Sequence, residues 1–572
     1  MKFFAPNLTD GYKVGHPAQY QEGTTKVYSN FTPRDYSYAV TTPPTKTDKM
    51  VFVGLQYAMQ EYLINQWNES FFSQPKDKVL AKYARRIKNY LGTNQGTQAQ
   101  KMISELHDLG YLPIKIKALP EGSRVNAGIP VFTITNTHDS FAPLVNYLET
   151  VLSNVVWPMC NSASLMEQYY LLAKTYGEQT GASAEYWLPY SQHNFALRGH
   201  RGPEDGIMSA FGHSIFHKGT DTFAVVDFIE EYYGGNSDEE LIGVSVNASE
   251  HATVCQNIAY FGGGHDGELK TLQRFLTEVY PSGIFSYVSD SRDYWDVIGI
   301  ILPKLKDIIL SRTPNEDGQP AVLTIRPDSS VDTPYEVILG YNVMEVEVSL
   351  TDSEDTETFE EGGFNAVLYE GKYYKAEYDY DRESYYGDVM YSNQRIVLGR
   401  EMSKYEAKGT LETLWDTFGG TLEKGSDGKG YRLLDSHIRC IYGEAISLGM
   451  AQKIYQGMKD KGFCVGNVFF GVGSWAFIGN SSRDSYGIAC KATHSVVNGE
   501  SISLQKDPKG TSVFKKSAKG LLKVTQGSNE SFILEDDVTP EQENEGLLEV
   551  VFENSTIVKP QTLKGIQKVL GL

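Results

Sequence analysis

Four short segments bring together side chains that could handle a phosphorylated sugar. Glu250 and His251 close the run Asn247-Ala-Ser-Glu250-His251, directly after the apolar stretch 242–246 (IGVSV). A carboxylate beside an imidazole can raise the histidine pKa or fix its tautomer; taken alone, the pair also fits a structural histidine. Arg326-Pro-Asp328 follows 321–325 (AVLTI). There an arginine can fork onto a phosphate, and the aspartate can hold ribose hydroxyls or a metal; the bland alternative is a buried Arg–Asp ion pair. Gly471-Val-Gly473-Ser474 follows 468–470 (VFF) and offers backbone N–H groups to a phosphate, though glycines also serve ordinary turns. Arg198 lies in the polar loop Phe195-Ala-Leu-Arg198-Gly-His-Arg201, where a solvated arginine is equally at home.

The elements that must position these residues have a common rhythm. Short apolar runs at 242–246, 284–288, 321–325, 438–442 and 468–470 each end in polar residues and lead into a helical stretch. After 438–442 come Gly443 and Glu444, then a helix with Ile446, Met450, Ile454 and Met458 on one face. Alternating strand and helix means a parallel sheet. Chemistry at the C-terminal ends of many strands points to a (β/α) barrel, whereas a doubly wound sheet would gather it at one switch point. The expectation is therefore an α/β protein, α+β at its periphery, with an irregular (β/α) barrel at 151–494. A β-rich and helical domain at 1–150, completed by 495–572, accompanies it. Within it, 112–119 (LPIKIKAL) and 131–135 (VFTIT) read as strands and 50–66 as a helix.

The barrel is interrupted at about 340–410. Residues 351–390 hold twelve Asp or Glu against three Lys or Arg, and seven tyrosines, so this segment alone carries −9 of the chain's −20. It reads as a surface insertion with a hairpin around Gly371 and Lys372. The acidic balance argues against a broad nucleic-acid or anionic-membrane surface, but leaves room for a local basic pocket. Five scattered cysteines without a CxxC argue against a disulfide framework or zinc site, and suggest a reducing cytoplasm. No signal-peptide core or membrane-length apolar run is seen.

Taken together, these side chains point to a phosphorylated sugar substrate. The chain also resembles the nicotinamide phosphoribosyltransferase family through segments in the family's order: Thr9-Asp-Gly-Tyr-Lys-Val-Gly-His16, Phe52-Val-Gly-Leu-Gln-Tyr57, Leu112-Pro-Ile-Lys-Ile-Lys-Ala-Leu-Pro-Glu-Gly122, Lys218-Gly-Thr-Asp-Thr222, Ser249-Glu-His251, Val288-Ser-Asp-Ser291, Ile325-Arg-Pro-Asp-Ser329 and Gln505-Lys-Asp-Pro508. The resemblance implies a barrel of the type II phosphoribosyltransferase kind and a homodimer with active sites at the interface. It implies nicotinamide, phosphoribosyl diphosphate and ATP as partners, with Mg2+. Phe195 and the partner subunit's Tyr12 would sandwich the pyridine ring, with Asp221 and Ser286 facing the carboxamide. Arg198, His251 and Arg326 would lie near the diphosphate, and Asp290 and Asp328 near magnesium and ribose. Gly443 and Glu444 would meet the ribose hydroxyls, and Gly473 and Ser474 the 5′-phosphate. Asp10, Arg34, Arg483, Lys491, Lys506 and Lys515 match further polar positions of the pocket. His251 resembles the histidine that takes a phosphoryl group from ATP, with Glu250 orienting it.

The chain departs from the family pattern at several points. Gly443-Glu-Ala stands for Gly-Asp-Gly, Ser474 and Trp475 interrupt a triple glycine, Asn194 replaces an aspartate and Leu197 a tyrosine. The acidic insertion is also outside the pattern. Two alternatives stay open on the sequence: the related nicotinate enzyme, and a non-catalytic nucleotide-binding homologue.

Overall fold

The computed structural model describes residues 3–43, 45, 47–92, 96–328, 332–346, 363–386, 389–444, 446–479, 481–506, 516–528 and 531–572, with side chains at all of these except 346 and 377–397. Ser329, Ala445 and Lys515 lie outside the described residues. The chain forms two compact units, 1–168 with 194–244 and 474–572, and 169–193 with 245–473. These boundaries differ from those expected at 150 and 494.

The first unit contains a seven-stranded sheet. Its order is Glu500–Ser503, Ala489–Val497, Thr24–Thr32, Phe132–Asn136, Ile114–Ala118, Glu549–Glu553 and Thr556–Ile557, all antiparallel. Ile114, Ile116 and Ala118 are buried while Lys115 and Lys117 are not, the period-two alternation of a sheet with one covered face. Phe31 and Phe132, directly paired, stack at 4.7 Å. The expected helix at 50–66 begins only at Leu55, because Gly54 sits at φ +95° and Lys49–Val51 is a strand.

In the second unit the strands β1 (Asn247–Ala248), β2 (Ile284–Val288) and β3 (Val322–Arg326) come first. Helices α1 (His251–Tyr260) and α2 (Gly264–Arg274) lie between β1 and β2. After β3 come α3 (Pro334–Leu339), then the insertion strands β4 (Val343–Val346), β5 (Ala366–Tyr369), β6 (Lys372–Tyr386) and β7 (Val389–Met402). The helix α4 (Lys404–Phe418), strand β8 (Ile438–Tyr442), helix α5 (Leu448–Asp460) and strand β9 (Val468–Val472) follow. Five of the sheet's strands run in the order β1-β2-β3-β8-β9, all parallel. Phe285, Leu323, Ile325, Ile438, Cys440, Val468 and Phe470 are buried, which is why these strands read as near-continuous apolar runs. Parallel strands end on one edge, so Ser289, Pro327, Gly443 and Gly473 all leave the sheet on the same side.

Two local expectations shift. The run 242–246 is not a strand: Val244 makes a single bridge to Gly219, and pairing with β2 begins at Asn247. Gly243 within it gives no side chain to pack and lets the backbone approach Thr220. The hairpin turn falls on Glu370 and Gly371, at φ 49° and 77°, one residue earlier than expected, as a two-residue turn with both φ positive requires. The insertion is a four-stranded sheet, β4-β5-β6-β7.

Candidate active site

At the exit edge of the second unit's sheet, three loops converge on His251. The ring starts α1, and its Nδ1 lies 3.0 Å from Ser291 Oγ. Its Nε2 lies 3.7 Å from Asp290 and 3.5 Å from Asp328. The Asp290 side chain is 5% exposed, whereas His251 and Asp328 are about half open to solvent. Glu250, the N-cap of α1, is exposed and makes no cap bond. Among the contacts of the described residues, the ring is met by Ser291 and not by its sequence neighbour. The reason is geometric: Glu250 has extended backbone, φ −130°, while His251 begins the helix, so their side chains diverge.

Arg326 is held from two sides. Its Nη2 donates to Ser249 O at 2.6 Å and its Nη1 to Asp328 Oδ1 at 3.2 Å. Its backbone N–H donates to Ser289 Oγ at 3.2 Å, and Ser249 Oγ accepts from Val288 N at 2.9 Å. Serines 249, 289 and 291 thus fix the arginine and the histidine. Sequence reasoning assigned them no role, although each flanks an assigned charge at a strand end. The Arg326 Nε and the Ser286 hydroxyl on β2 are buried without a protein partner. Such groups are ordinarily satisfied, so both stand ready for a ligand's polar atoms. Gly443 and the exposed Glu444 leave β8 on this edge.

Asp290 and Asp328 offer oxygens suited to Mg2+, which takes one or two carboxylates together with substrate phosphates. Among the described residues no three His, Cys, Asp or Glu side chains form a complete metal cage. The donor set fits a metal that arrives with a diphosphate.

In the first unit Asp221 is exposed, and its N–H donates to Asn194 O at 2.7 Å. The Asn194 side-chain oxygen accepts from Ala196 N at 3.0 Å and from Thr222 Oγ1 at 3.2 Å. An amide oxygen therefore does the accepting an aspartate would do, tying the Phe195 loop to the Asp221 turn. Asp221 is not the N-cap of the following helix, Ala224–Tyr233, whose N-cap is Phe223. Arg198 is exposed, and Gly199 packs so close to Ser474 that a Cβ there would lie 2.0 Å from its Oγ.

The same unit holds a cavity of about 440 Å³ lined by Asp10, Tyr12, Arg34, Trp157, Arg483, Lys491 and Lys506, among others. Asp10 accepts from Thr150 Oγ1 at 2.7 Å, and Arg34 Nε donates to Gly487 O at 3.0 Å. Burial and the Arg483 charge hold the Arg34 pKa below its usual value. Two guanidiniums and three ammoniums, the third from Lys13, outnumber the carboxylates of Asp10 and Glu149 around this cavity, which leaves it locally positive and suited to an anion in an otherwise acidic chain. Tyr12 is 65% exposed at its rim.

Residues 190–555 match the nicotinate phosphoribosyltransferase (NAPRTase) family, and residues 6–116 match the nicotinamide phosphoribosyltransferase N-terminal domain. The nicotinamide phosphoribosyltransferase of Acinetobacter baylyi is 39% identical, covering 99% of this chain and 96% of its own. That of Mycoplasma pneumoniae is 26% identical, covering 85% and 88%. A nicotinate-nucleotide pyrophosphorylase structure from Pyrococcus furiosus aligns over 99% of this chain and 94% of its own, with a TM-score of 0.50 at 13% identity, a likeness of fold. The expected fold class, an irregular type II phosphoribosyltransferase barrel with β-rich additions, is the one found. The chain belongs to the nicotinamide phosphoribosyltransferase family.

Proposed function

We propose that this protein transfers the phosphoribosyl group of 5-phosphoribosyl 1-diphosphate to nicotinamide, giving nicotinamide mononucleotide and diphosphate in NAD salvage. The observation that carries the reading is the meeting of His251, Asp290, Asp328 and Arg326 at one strand edge, in a chain of this family. The pyridine nitrogen forms a bond to C1 of the ribose as the bond from C1 to the diphosphate oxygen breaks. Both electrons of that bond leave with the diphosphate, and no protein atom attacks the sugar. Positive charge builds at the sugar and negative charge on the leaving group, so Arg326 and Arg198 act as fixed cations toward the latter. Asp290 and Asp328 would hold magnesium, which would supply charge neutralisation at the leaving group. Phe195 and the partner subunit's Tyr12 stack the pyridine in line, Asp221 and Ser286 meet its carboxamide, and Gly443 and Glu444 hold the ribose. Gly473 and Ser474 receive the 5′-phosphate, with Asp10, Arg34, Arg483, Lys491 and Lys506 completing the polar pocket.

ATP is the second phosphate substrate of the reading. With Nδ1–H donating to Ser291, Nε2 presents its lone pair and takes the γ-phosphoryl group, releasing ADP. Two carboxylates so near would repel that phosphate, which is a further reason to place the cation there. The working state is a homodimer, and the five scattered cysteines go with a reducing, cytoplasmic setting. Among the described residues no helix is long and apolar enough to cross a membrane. The test is a product assay with phosphoribosyl diphosphate, Mg2+ and either nicotinamide or nicotinate, with and without ATP. Nicotinamide mononucleotide is expected. Product from nicotinate alone would replace the reading with the related enzyme, and product from neither base would leave a binding protein.

A further inference from the structure

His251 begins α1, and the Ser291 that meets its ring belongs to the turn leaving β2. A single hydrogen bond to a half-exposed ring is weak, so other contacts must keep the two in register. On one side α1 is bound to α2. Gly263 N donates to Ile258 O at 2.8 Å, and Arg274 Nη1 donates to Asn257 Oδ1 at 3.2 Å. Gly267 comes so near that a Cβ there would lie 2.6 Å from Ile258 O. On the other side α2 grips the turn through Arg292, the residue after Ser291. Glu268 of α2, whose side chain is fully buried, accepts from Arg292 Nε at 2.9 Å and from Tyr287 OH at 3.4 Å. Arg292 Nη2 also donates to Asp296, four residues on. Asp296 lies 2.7 Å from His265 Nδ1 in the first turn of α2, and Lys304 Nζ lies 2.7 Å from Nε2 of the same ring. An ammonium can only donate, so Nδ1 carries the proton that Asp296 accepts.

The contacts close a ring: His251 to Ser291, Arg292 to Glu268, and α2 back through α1 to His251. A planar guanidinium is suited to meeting two carboxylates at once, and a carboxylate as buried as Glu268 needs a partner. Burial pushes the Glu268 carboxyl up to about 7, against the opposing charge and hydrogen bond of Arg292. We propose that Arg292 is a positioning residue for phosphoryl transfer to His251: by bridging Glu268 and Asp296 it fixes the turn that sets Ser291 on Nδ1 and Asp290 beside Nε2. In that transfer Nε2 forms a bond to the γ-phosphorus of ATP, while the bond from phosphorus to the ADP oxygen breaks and its electron pair leaves with ADP. A ring turned out of line with that bond cannot do this. The inference rests on the reading of His251 as phosphoryl acceptor.

The test uses the full-length chain and γ-labelled ATP, comparing the wild type with Arg292→Ala, Arg292→Lys and the double variant Arg292→Ala/Glu268→Gln. In Arg292→Ala the maximal rate of acid-labile labelling should fall roughly 10- to 100-fold, the scale of a small misplacement, with little change in the ATP concentration that half-saturates it. Arg292→Lys keeps a cation against Glu268 and should recover part of the rate. Adding Glu268→Gln removes the buried carboxylate that loses its cation, so the double variant should regain melting temperature but not labelling. Hydrogen–deuterium exchange in Arg292→Ala should speed up in 288–296 and stay slow in 322–326. Labelling that returns together with the melting temperature would overturn the proposal, leaving Arg292 a partner for a buried charge and nothing more. Unchanged labelling in Arg292→Ala would overturn it too. A wild type that takes no label would sink the reading of His251 instead, and the exchange comparison would still decide whether Arg292 holds the turn.

Discussion

On the proposed reading, two side chains decide the chemistry at the residue scale. Asp221 can accept a hydrogen bond from the nicotinamide N–H2, whereas nicotinate would set a second carboxylate against it, with no donor between them. Discrimination of this kind can reach ~10⁴-fold, so strong preference for nicotinamide is expected. Asp221→Asn should lower nicotinamide efficiency and narrow the gap to nicotinate. Because Asp221 caps no helix, the melting temperature should hold; a drop with an unchanged preference ratio would reject the role. His251→Ala should lose ATP stimulation and keep basal synthesis, and acid-labile label from γ-labelled ATP should vanish. Since Ser291 meets the ring, Ser291→Ala should reduce labelling more than Glu250→Ala, and the opposite order would restore the sequence-based choice of Glu250. That His251, Asp290, Arg326 and Asp328 lie near one another was legible because each sits where an apolar run gives way to polar residues. The serines were not, because a hydroxyl's role depends on which strand end lies beside it, and sequence does not print that juxtaposition.

Elements explain a motif residue that does no chemistry. Glu121, in Leu119-Pro-Glu121-Gly122, is 3% exposed and accepts from Gly54 N at 2.9 Å, Gln56 N at 2.7 Å and Tyr233 OH at 3.2 Å. It thereby satisfies N–H groups at the start of the helix that opens at Leu55. Burial pushes its carboxyl up to about 7, above the ordinary 4.5. The folded state then holds a proton the unfolded state has lost between these values, so stability falls as pH rises from about 4.5 through 7. The fall attributable to Glu121 is about 3 kcal/mol. Glu121→Gln should remove that slope in urea titrations across pH while lowering stability at acid pH, and an unchanged slope would place the titration elsewhere. The parallel strands of the second unit were legible because burial on both faces writes apolar runs. The break at 242–246 was not, since a glycine's close approach to Thr220 is a tertiary fact. The hairpin register moved by one because two residues with positive φ decide it, and glutamate is not the usual occupant of the first.

For the whole molecule the question is how a chain of net charge −20 would handle the two highly charged phosphate substrates proposed for it. Part of the answer is local: Arg34, Arg483, Lys491 and Lys506 surround one cavity, and a focused positive site can draw an anion through a repulsive surround, more weakly as salt rises. The rest, on the proposed reading, is assembly. Asp10, Tyr12 and Arg483 resemble groups that complete a partner's pocket, and Tyr12 is largely exposed at the cavity rim. An isologous pair built this way has two equivalent sites, each drawing on both chains. Tyr12→Ala and Arg326→Ala should each be inactive alone. When the two are mixed and their subunits exchange, every mixed dimer carries one site with both lesions and one with none. At equal amounts and random pairing half the dimers are mixed, so about a quarter of wild-type activity should return. Mass spectrometry of isotopically labelled subunits reports the exchange independently. Full exchange with no recovered activity would mean that each chain builds its site alone.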